Sequence, residues 1–261
     1  MSGLPAGRDR WLAEWPQTGH AEAIVICLPE AGGLTNQFQP LQQHLGSNHH
    51  VLAVQLPGRQ ARRNEAPLGT ITEVVAALLP ILLKRLDRPF LILGQSMGAL
   101  IGYELARALG HQHHRWPLAM VLASALPPAD ISASARAMAQ DTDPRALLAG
   151  TGEDWDIADL DDDTLEVLLA PLRADAAMMT RYHHQTGPPL HCPLAIWHGA
   201  DDHLIARPRP EQWQPYTDGP VSITTFSGGH TFATWQPGIL ADAVRRTLDQ
   251  HRRPEPEGIH G

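Results

Sequence analysis

The sequence predicts an α/β fold, in which a mostly parallel sheet is covered by helices on both faces. Short apolar segments with many β-branched residues recur along the chain, at residues 23–28, 51–56, 90–93, 119–123, 194–197 and 221–226. Each is followed by a turn and then by a longer segment with helical spacing. This alternation is typical of parallel strands that are joined by crossover helices.

Three of the longer segments are predicted to be helices. Residues 71–86 follow Thr70, residues 97–109 precede Gly110, and residues 238–250 lie near the end of the chain. The first two have apolar residues at intervals typical of a helix with one buried face. Gly110 is expected to end the second helix, because glycine is favoured just beyond a helix C-terminus.

The stretch 127–189 is too long for a single crossover and is predicted to contain helices of its own. The candidate helices are residues 134–140, 144–148, 161–169 and 172–184. Helices inserted here would lie over the carboxyl ends of the strands, where α/β proteins bind ligands. We therefore expect a core of residues 1–126 and 190–251, a helical lid at 127–189, and a flexible tail at 252–261.

The composition excludes several classes of function. The chain has 261 residues, of which 43% are hydrophobic and 18% are charged, as in one globular domain with an insertion. Its net charge of -8 comes without a sustained basic surface, which argues against nucleic-acid binding. Because no signal peptide is evident and no apolar stretch approaches the roughly 20 residues that span a bilayer, we expect a cytoplasmic protein without membrane contact. We also expect a monomer.

The cysteines and histidines do not indicate a disulfide framework or a metal site. Cys27 lies in an apolar segment and Cys192 precedes a proline, so both are expected to be buried free thiols. Several of the 15 histidines occur as adjacent pairs, whose side chains diverge on a helix or strand. No matching set of carboxylates or cysteines accompanies them, so no metal is expected.

Residues 94–98 form a Gly-x-Ser-x-Gly pattern between an apolar strand and a helical segment. This context predicts a nucleophile elbow, in which Ser96 occupies a strained turn and the flanking glycines avoid the neighbouring backbone. The hydroxyl is then presented at a helix N-terminus. There the N–H of Met97 can donate to the oxygen that becomes negative during acyl transfer. A structural serine in a tight turn is the alternative interpretation.

A serine hydroxyl needs a base to take its proton, and His230 is the candidate. It follows the last predicted strand, and two preceding glycines permit a turn that returns the imidazole over the sheet. The orienting acid is expected after the preceding strand, where Asp202 is favoured and Asp201 is interpreted as a turn residue. The loop after the first strand supplies the second predicted oxyanion donor, the N–H of Ala31.

With these features, the chain resembles the type II thioesterases that accompany nonribosomal peptide and polyketide synthases. The matching segments cover nearly the whole chain, and those that end at Arg59 and Asp175 are more specific than the elbow. The segments are Pro29-x-Ala31-Gly32-Gly33, Leu52-Ala53-Val54-Gln55-Leu56-Pro57-Gly58-Arg59, Gly94-x-Ser96-Met97-Gly98-Ala99, Pro171-Leu172-Arg173-Ala174-Asp175, Cys192-Pro193-Leu194 and Gly228-Gly229-His230-x-Phe232.

The resemblance implies an α/β-hydrolase fold and an editing enzyme without a cofactor. Such an enzyme hydrolyses acyl groups from the phosphopantetheine thiol of acyl or peptidyl carrier proteins, through an acyl-serine intermediate. Two positions depart from the family pattern, which usually has histidine at Glu30 and at Gln95. The change at Gln95 is mild. An ionised Glu30 would oppose an oxyanion, so its side chain is expected to turn away or to accept hydrogen bonds elsewhere.

Substrate recognition is less evident from the sequence. Carrier domains are typically acidic, and a patch of Arg59, Arg62 and Arg63 is a candidate docking surface, with a solvated basic loop as the other interpretation. Methionines could line an adaptable acyl channel beneath the lid, with core packing as the alternative. These methionines are Met138, Met178 and Met179.

Two other functions fit the same residues. The catalytic groups would also serve a small-molecule carboxylesterase or an acyltransferase to a hydroxyl or amine acceptor. A non-catalytic binding protein that keeps the hydrolase shape is the remaining alternative. It has no physical need to retain serine, aspartate and histidine on three separate loops, which favours an enzyme.

Overall fold

A computed structural model of the chain describes residues 10–17, 19–141 and 161–251. Its strands are β1 (Leu12–Ala13), β2 (Ala23–Leu28), β3 (His49–Val54), β4 (Phe90–Gln95), β5 (Met120–Ala123), β6 (Leu194–Gly199) and β7 (Val221–Phe226). Within the described residues they form one sheet in the order β1-β3-β2-β4-β5-β6-β7. β1 is antiparallel to β3, and the other neighbours pair in parallel. The predicted α/β architecture is confirmed.

The helices of the described residues lie between and after these strands. They are α1 (Gln39–Leu45), α2 (Ile71–Arg85), α3 (Met97–Arg107), α4 (Ile131–Asp141), α5 (Asp162–Thr180), α6 (Pro210–Trp213), α7 (Phe232–Trp235) and α8 (Pro237–His251). Short 3-10 helices occur at Thr35–Phe38, Gly46–Asn48, Gln60–Arg62 and Gln214–Tyr216. No helix in the described part of the chain is both long and apolar enough to cross a membrane.

Apolar side chains bury both faces of the sheet. Successive residues of a strand point to opposite faces, so Ile24 and Ile26 join one core cluster while Val25 and Cys27 join the other. Helices α2 and α3 cover the first face, and α1 and α8 cover the second. Burial of each such aliphatic side chain stabilises the fold by about 1.5–3 kcal/mol. Cys27 and Cys192 are buried free thiols, as predicted.

Helix α2 begins where its sequence predicts. The hydroxyl of Thr70 accepts the N–H of Glu73 at 3.2 Å, and the Glu73 carboxylate accepts the N–H of Thr70 at 2.9 Å. This reciprocal pair satisfies two backbone donors that the first turn leaves free. The observed helix ends one residue before the predicted range 71–86.

Helix α3 does not end at Gly110 as expected. Its regular part stops at Arg107 and is followed by one π-helical segment, Ala108–Gln112. A Cβ at Gly110 would lie 2.2 Å from the ring of Trp116. Glycine is therefore needed at this position because the indole ring packs against the backbone, and not because the helix stops there.

The predicted lid region is only partly described. Helix α4 includes the predicted range 134–140, whereas the predicted helix 144–148 lies outside the described residues. The helix expected at 161–169 and most of that expected at 172–184 are one helix, α5, which continues through Pro171 and ends at Thr180.

Proline removes one backbone hydrogen bond inside α5, to the carbonyl four residues earlier. The residue there, Val167, is 73% exposed, so this part of α5 lies at the surface. Leu169 and Leu172 are buried on either side of Pro171, and this packing keeps the helix continuous. The boundaries of the core, lid and tail stay predictions.

Candidate active site

The predicted catalytic side chains lie on three loops at the carboxyl edge of the sheet. Ser96 follows β4, Asp202 follows β6, and His230 follows β7. Because β4 to β7 are neighbouring parallel strands, the loops after them meet at one edge. The structure therefore brings together Ser96 and His230, which are 134 residues apart in the chain.

Ser96 lies in a strained strand-to-helix turn. Its φ of 50° and ψ of -115° are unusual for a residue with a side chain, and such strain costs about 1–3 kcal/mol. A Cβ on Gly94 would lie 2.4 Å from the carbonyl oxygen of Gly98, and one on Gly98 would lie 2.1 Å from that of Leu28. Only glycine fits at both positions, so the predicted geometry of the elbow is present.

The imidazole of His230 connects the hydroxyl to the carboxylate. Its Nε2 lies 3.0 Å from Ser96 Oγ, and its Nδ1 lies 2.9 Å from Asp202 Oδ2. Because an ionised carboxylate can only accept, Nδ1 carries the proton and donates to Asp202. Nε2 is then free to accept the proton of the serine hydroxyl. This arrangement can activate an oxygen nucleophile.

Asp202 is buried, and both of its carboxylate oxygens have hydrogen-bond partners. Its Oδ1 accepts the N–H groups of Leu204 at 3.0 Å and Ile205 at 3.3 Å, while Oδ2 faces His230. Burial by itself raises the pKa of this carboxyl, but the hydrogen bond and charge of His230, with the two N–H groups, lower it overall. Asp201 is exposed, and its N–H donates to Gly228, which agrees with its interpretation as a turn residue.

His198 is a second buried histidine beside the site, and the sequence did not predict a role for it. It is 4% exposed, and burial, more than any other cause, lowers its pKa. The neutral form therefore predominates near pH 7, so His198 adds no positive charge next to His230. The sequence signal for a buried histidine here was its place in an apolar strand segment, directly before Gly199 at the end of β6.

The two predicted oxyanion donors lie on adjacent elements. Met97 is the first residue of α3, so its N–H has no acceptor within the helix. Ala31 follows β2, the direct neighbour of β4, and within the described chain its N–H donates to no protein atom. The close approach of Gly98 to Leu28 holds the start of this loop against the elbow.

Both departures from the family pattern have hydrogen-bond partners. Glu30 Oε2 accepts from the side-chain amide of Gln37 at 2.9 Å, so the expectation that this carboxylate accepts hydrogen bonds elsewhere is confirmed. Gln95 is 1% exposed, and its Nε2 donates to the backbone carbonyl of His230 at 2.9 Å. Gln95 thus joins β4 to the loop of the predicted base, a contact that the sequence did not indicate.

The interpretation of Arg59 and Arg62 as part of an exposed basic surface is wrong. Arg59 is 3% exposed and pairs with Asp175, and Arg62 is 5% exposed and pairs with Glu65. Burial of an arginine requires such a partner. The partner of Arg59 lies 116 residues away, whereas the partner of Arg62 is only three residues away. Arg63 alone of the three is exposed.

The methionines predicted to line an acyl channel differ in their surroundings. Met178 is 2% exposed and belongs to the main core, so packing, the alternative interpretation, accounts for it. Met179 is half-buried against the same core, and its role in an acyl channel stays a prediction. The side chain of Met138 lies outside the described part of the structure.

Comparisons with known proteins agree with this geometry. The chain matches the thioesterase domain family over residues 23–248. It is 30% identical to AMB antimetabolite synthetase AmbE of Pseudomonas aeruginosa over 98% of its own length, but it spans 12% of that protein. It is 28% identical to gramicidin S biosynthesis protein GrsT of Aneurinibacillus migulanus, over 86% of this chain and 88% of that one.

Solved structures give the same assignment. The structure of the type II thioesterase BorB, from the borrelidin biosynthetic cluster, superposes with a TM-score of 0.78 at 28% identity. The superposition covers 94% of this chain and 100% of BorB. The resemblance and the fold expected from the sequence motifs are thus confirmed. Because the family match covers residues 23–248, which include the elbow and all three loops, this chain belongs to the thioesterase domain family.

Proposed function

We propose that this chain is a serine thioesterase that removes acyl groups from the phosphopantetheine thiol of carrier proteins. The observation that carries the proposal is the hydrogen-bonded series from Ser96 through His230 to Asp202. A serine hydroxyl within 3.0 Å of an imidazole that is oriented by a buried carboxylate is the arrangement that acyl transfer requires.

In the first half of the reaction, Ser96 Oγ attacks the thioester carbonyl carbon while His230 Nε2 takes the hydroxyl proton. The carbonyl oxygen becomes negative and accepts the N–H groups of Ala31 and Met97. Collapse of this intermediate breaks the carbon–sulfur bond. The imidazolium then returns its proton to the departing thiol, which leaves an acyl-serine.

In the second half, water attacks the acyl-serine and His230 takes a proton from it. The same two N–H groups accept the new oxyanion, and collapse returns the proton to Ser96 Oγ and frees the carboxylic acid. Asp202 keeps the imidazole in one tautomer and stabilises the imidazolium without becoming protonated. None of these steps needs a cofactor.

The carrier-bound substrate is inferred from the relatives. AmbE is named a synthetase, GrsT a biosynthesis protein, and BorB a type II thioesterase of a biosynthetic cluster. A separate hydrolase in such a pathway would clear wrong or stalled acyl groups from carrier domains, which is the editing role that we propose here. A cytoplasmic location, a monomeric state and a helical lid over the site are parts of the same proposal.

Two measurements test the proposal. Ser96→Ala should lower kcat for an acyl-carrier thioester by at least about 10³-fold, since residual rates come from binding and oxyanion contacts alone. The wild-type protein should prefer the carrier thioester over a simple ester of the same acyl group. A preference for the free ester by orders of magnitude in kcat/KM would favour a carboxylesterase, and acyl transfer to an added alcohol or amine would favour an acyltransferase.

A fluorophosphonate probe separates an enzyme from a non-catalytic binding protein. The probe should label the folded wild-type chain and leave Ser96→Ala unlabelled, because it reacts only with an activated serine hydroxyl. Failure to label the folded wild-type chain would contradict the proposed nucleophile.

A further inference from the structure

A buried ion pair joins two segments that the proposed mechanism does not use directly. Arg59 Nη2 lies 2.7 Å from Asp175 Oδ1, and Arg59 Nη1 lies 2.8 Å from Oδ2. The two side chains are 2% and 4% exposed. Arg59 lies in the loop after β3, whereas Asp175 lies on α5, 116 residues later in the chain.

Both members of this pair also bind the loop that carries Ala31. Asp175 Oδ2 accepts the N–H of Gly32 at 2.8 Å, and Arg59 Nη1 donates to the carbonyl of Gly33 at 3.3 Å. Leu172 lies one turn before Asp175 on α5, and a Cβ on Gly32 would approach its Cβ to 3.2 Å. The loop is therefore held by hydrogen bonds and by packing against the same helix.

These contacts determine the direction of one backbone donor. The N–H of Ala31 belongs to the same peptide plane as the carbonyl of Glu30, which accepts the N–H of Gly33 at 3.0 Å. In a trans peptide the N–H points away from that carbonyl. Fixing Gly32 and Gly33 therefore also fixes the direction in which the Ala31 N–H points.

Stability is a weak reason for such a pair. Replacing a buried ion pair with apolar residues of similar volume is often neutral or stabilising, because desolvation offsets the attraction. Among the described residues no acceptor reaches the buried Nε of Arg59, so the pair is not even fully satisfied. Its rigid two-pronged geometry fixes orientation, and that is the property that a catalytic loop needs.

We infer that Arg59 and Asp175 are positioning residues, which hold the 31–33 loop so that the Ala31 N–H faces the acyl oxygen as it becomes negative. This inference rests on the proposed function, in which Ala31 contributes to the oxyanion hole. A donor held only loosely stabilises the transition state less, while ground-state binding of the thioester is largely unchanged. Because Asp175 lies on α5, the same contact ties this helix to the oxyanion loop.

The test uses the double variant Arg59→Met/Asp175→Leu in the full-length chain, which removes both charges and leaves neither buried alone. The control is Arg85→Met/Glu14→Leu, which removes a two-pronged but more exposed pair at the end of α2, away from the carboxyl ends of the strands. Glu14 also contacts His50, so the control disrupts that pair too. Circular dichroism and thermal unfolding establish that each variant is folded. Activity is measured as kcat and KM on an acyl-carrier thioester.

Two inhibitors separate positioning from general distortion. The Oγ of Ser96 adds to the carbonyl carbon of an acyl trifluoromethyl ketone, which places an oxyanion in the oxyanion hole. The matching thioether binds without reacting. For the double variant we expect kcat and ketone affinity to fall together by about 10- to 100-fold, a loss comparable to that of a misplaced catalytic group. Thioether affinity and KM should stay unchanged, and the control pair should behave as wild type.

Three outcomes would overturn the inference. They are wild-type kcat and ketone affinity in the folded double variant, an equal loss of affinity for ketone and thioether, and the same selective loss in the control pair. If the double variant does not fold, Asp175→Asn replaces it, since asparagine keeps an oxygen for Gly32 but weakens the fork with Arg59. An unchanged kcat there would also overturn the inference. Failure of the proposed function would appear elsewhere, as wild-type turnover that survives Ser96→Ala.

Discussion

At the scale of single residues, the carboxylate of Asp202 shows how burial and hydrogen bonding combine. Its side chain is removed from water, which would favour the neutral acid, yet His230, Leu204 and Ile205 all donate to its oxygens. The net effect lowers its pKa, so the group stays ionised throughout the neutral range. An ionised acceptor is what keeps the proton of His230 on Nδ1.

Asp202→Asn should therefore lower kcat by about 10³- to 10⁴-fold with little change in KM, because an amide can donate to Nδ1 and reverse the imidazole tautomer. Steady-state kinetics on a carrier thioester measures this effect. Asp201→Asn is the matched control, since the adjacent side chain is exposed and should keep near wild-type turnover. A larger loss in the control variant would exchange the roles of the two aspartates.

At the scale of elements, α3 is seated directly on the backbone at the end of β2. The contact is so close that residue 98 has no room for a methyl group, because the carbonyl oxygens of Leu28 and Pro29 lie 2.1 and 2.6 Å from the position of a Cβ. This close contact places the N-terminus of α3 beside the loop that carries Ala31. The distance between the two predicted oxyanion donors, on Met97 and Ala31, therefore depends on Gly98.

Gly98→Ala should cost about 3 kcal/mol in the free energy of unfolding, because backbone atoms must move to admit the methyl group. It should also slow labelling of Ser96 by a fluorophosphonate. Gly238→Ala is the control, since the nearest atoms to that position are in the ring of His44, at 3.6 Å or more, and alanine favours a helix. Urea unfolding measures the stability of both variants. Equal stability of the two would contradict the proposed close packing of Gly98 against the end of β2.

At the scale of the whole molecule, net charge affects the rate at which the chain associates with a carrier protein. The chain has a net charge of -8, and two of the three arginines predicted to form a basic patch are buried in ion pairs. An acidic carrier would therefore be repelled at long range. Productive encounter would depend on the phosphopantetheine arm and on short-range contacts, not on electrostatic attraction.

Raising the ionic strength from about 0.01 M to about 0.15 M should thus increase kcat/KM for an acidic acyl-carrier substrate by roughly twofold, because salt screens the repulsion. Hydrolysis of a small uncharged acyl thioester should not respond, which makes it the control substrate. A fall in kcat/KM with salt, confined to the carrier substrate, would instead indicate a local basic surface that attracts the carrier.

The sequence by itself determined those features that short segments encode. The spacing of apolar residues predicted six strands, two of them to the residue, and the glycines around Ser96 predicted the elbow. Chain order was enough to choose the loops of the acid and of His230, since consecutive parallel strands bring their following loops to one edge. The preference for Asp202 over Asp201 came from the match to the common hydrolase pattern. The two-residue strand β1 was missed, because its apolar pattern is too short to be distinctive.

Only the tertiary structure decided how distant segments meet. It buried Arg59 and Arg62, fused two expected helices into α5, and placed Asp175 against Gly32. The partner of Arg59 lies 116 residues away. Arg62 pairs with Glu65, three residues away, but its guanidinium also packs on the ring of Trp11. Local sequence does not show whether such a side chain will be covered in the folded chain. Burial of a charge is favourable only once that partner is in place, so the environment of such residues is a property of the fold.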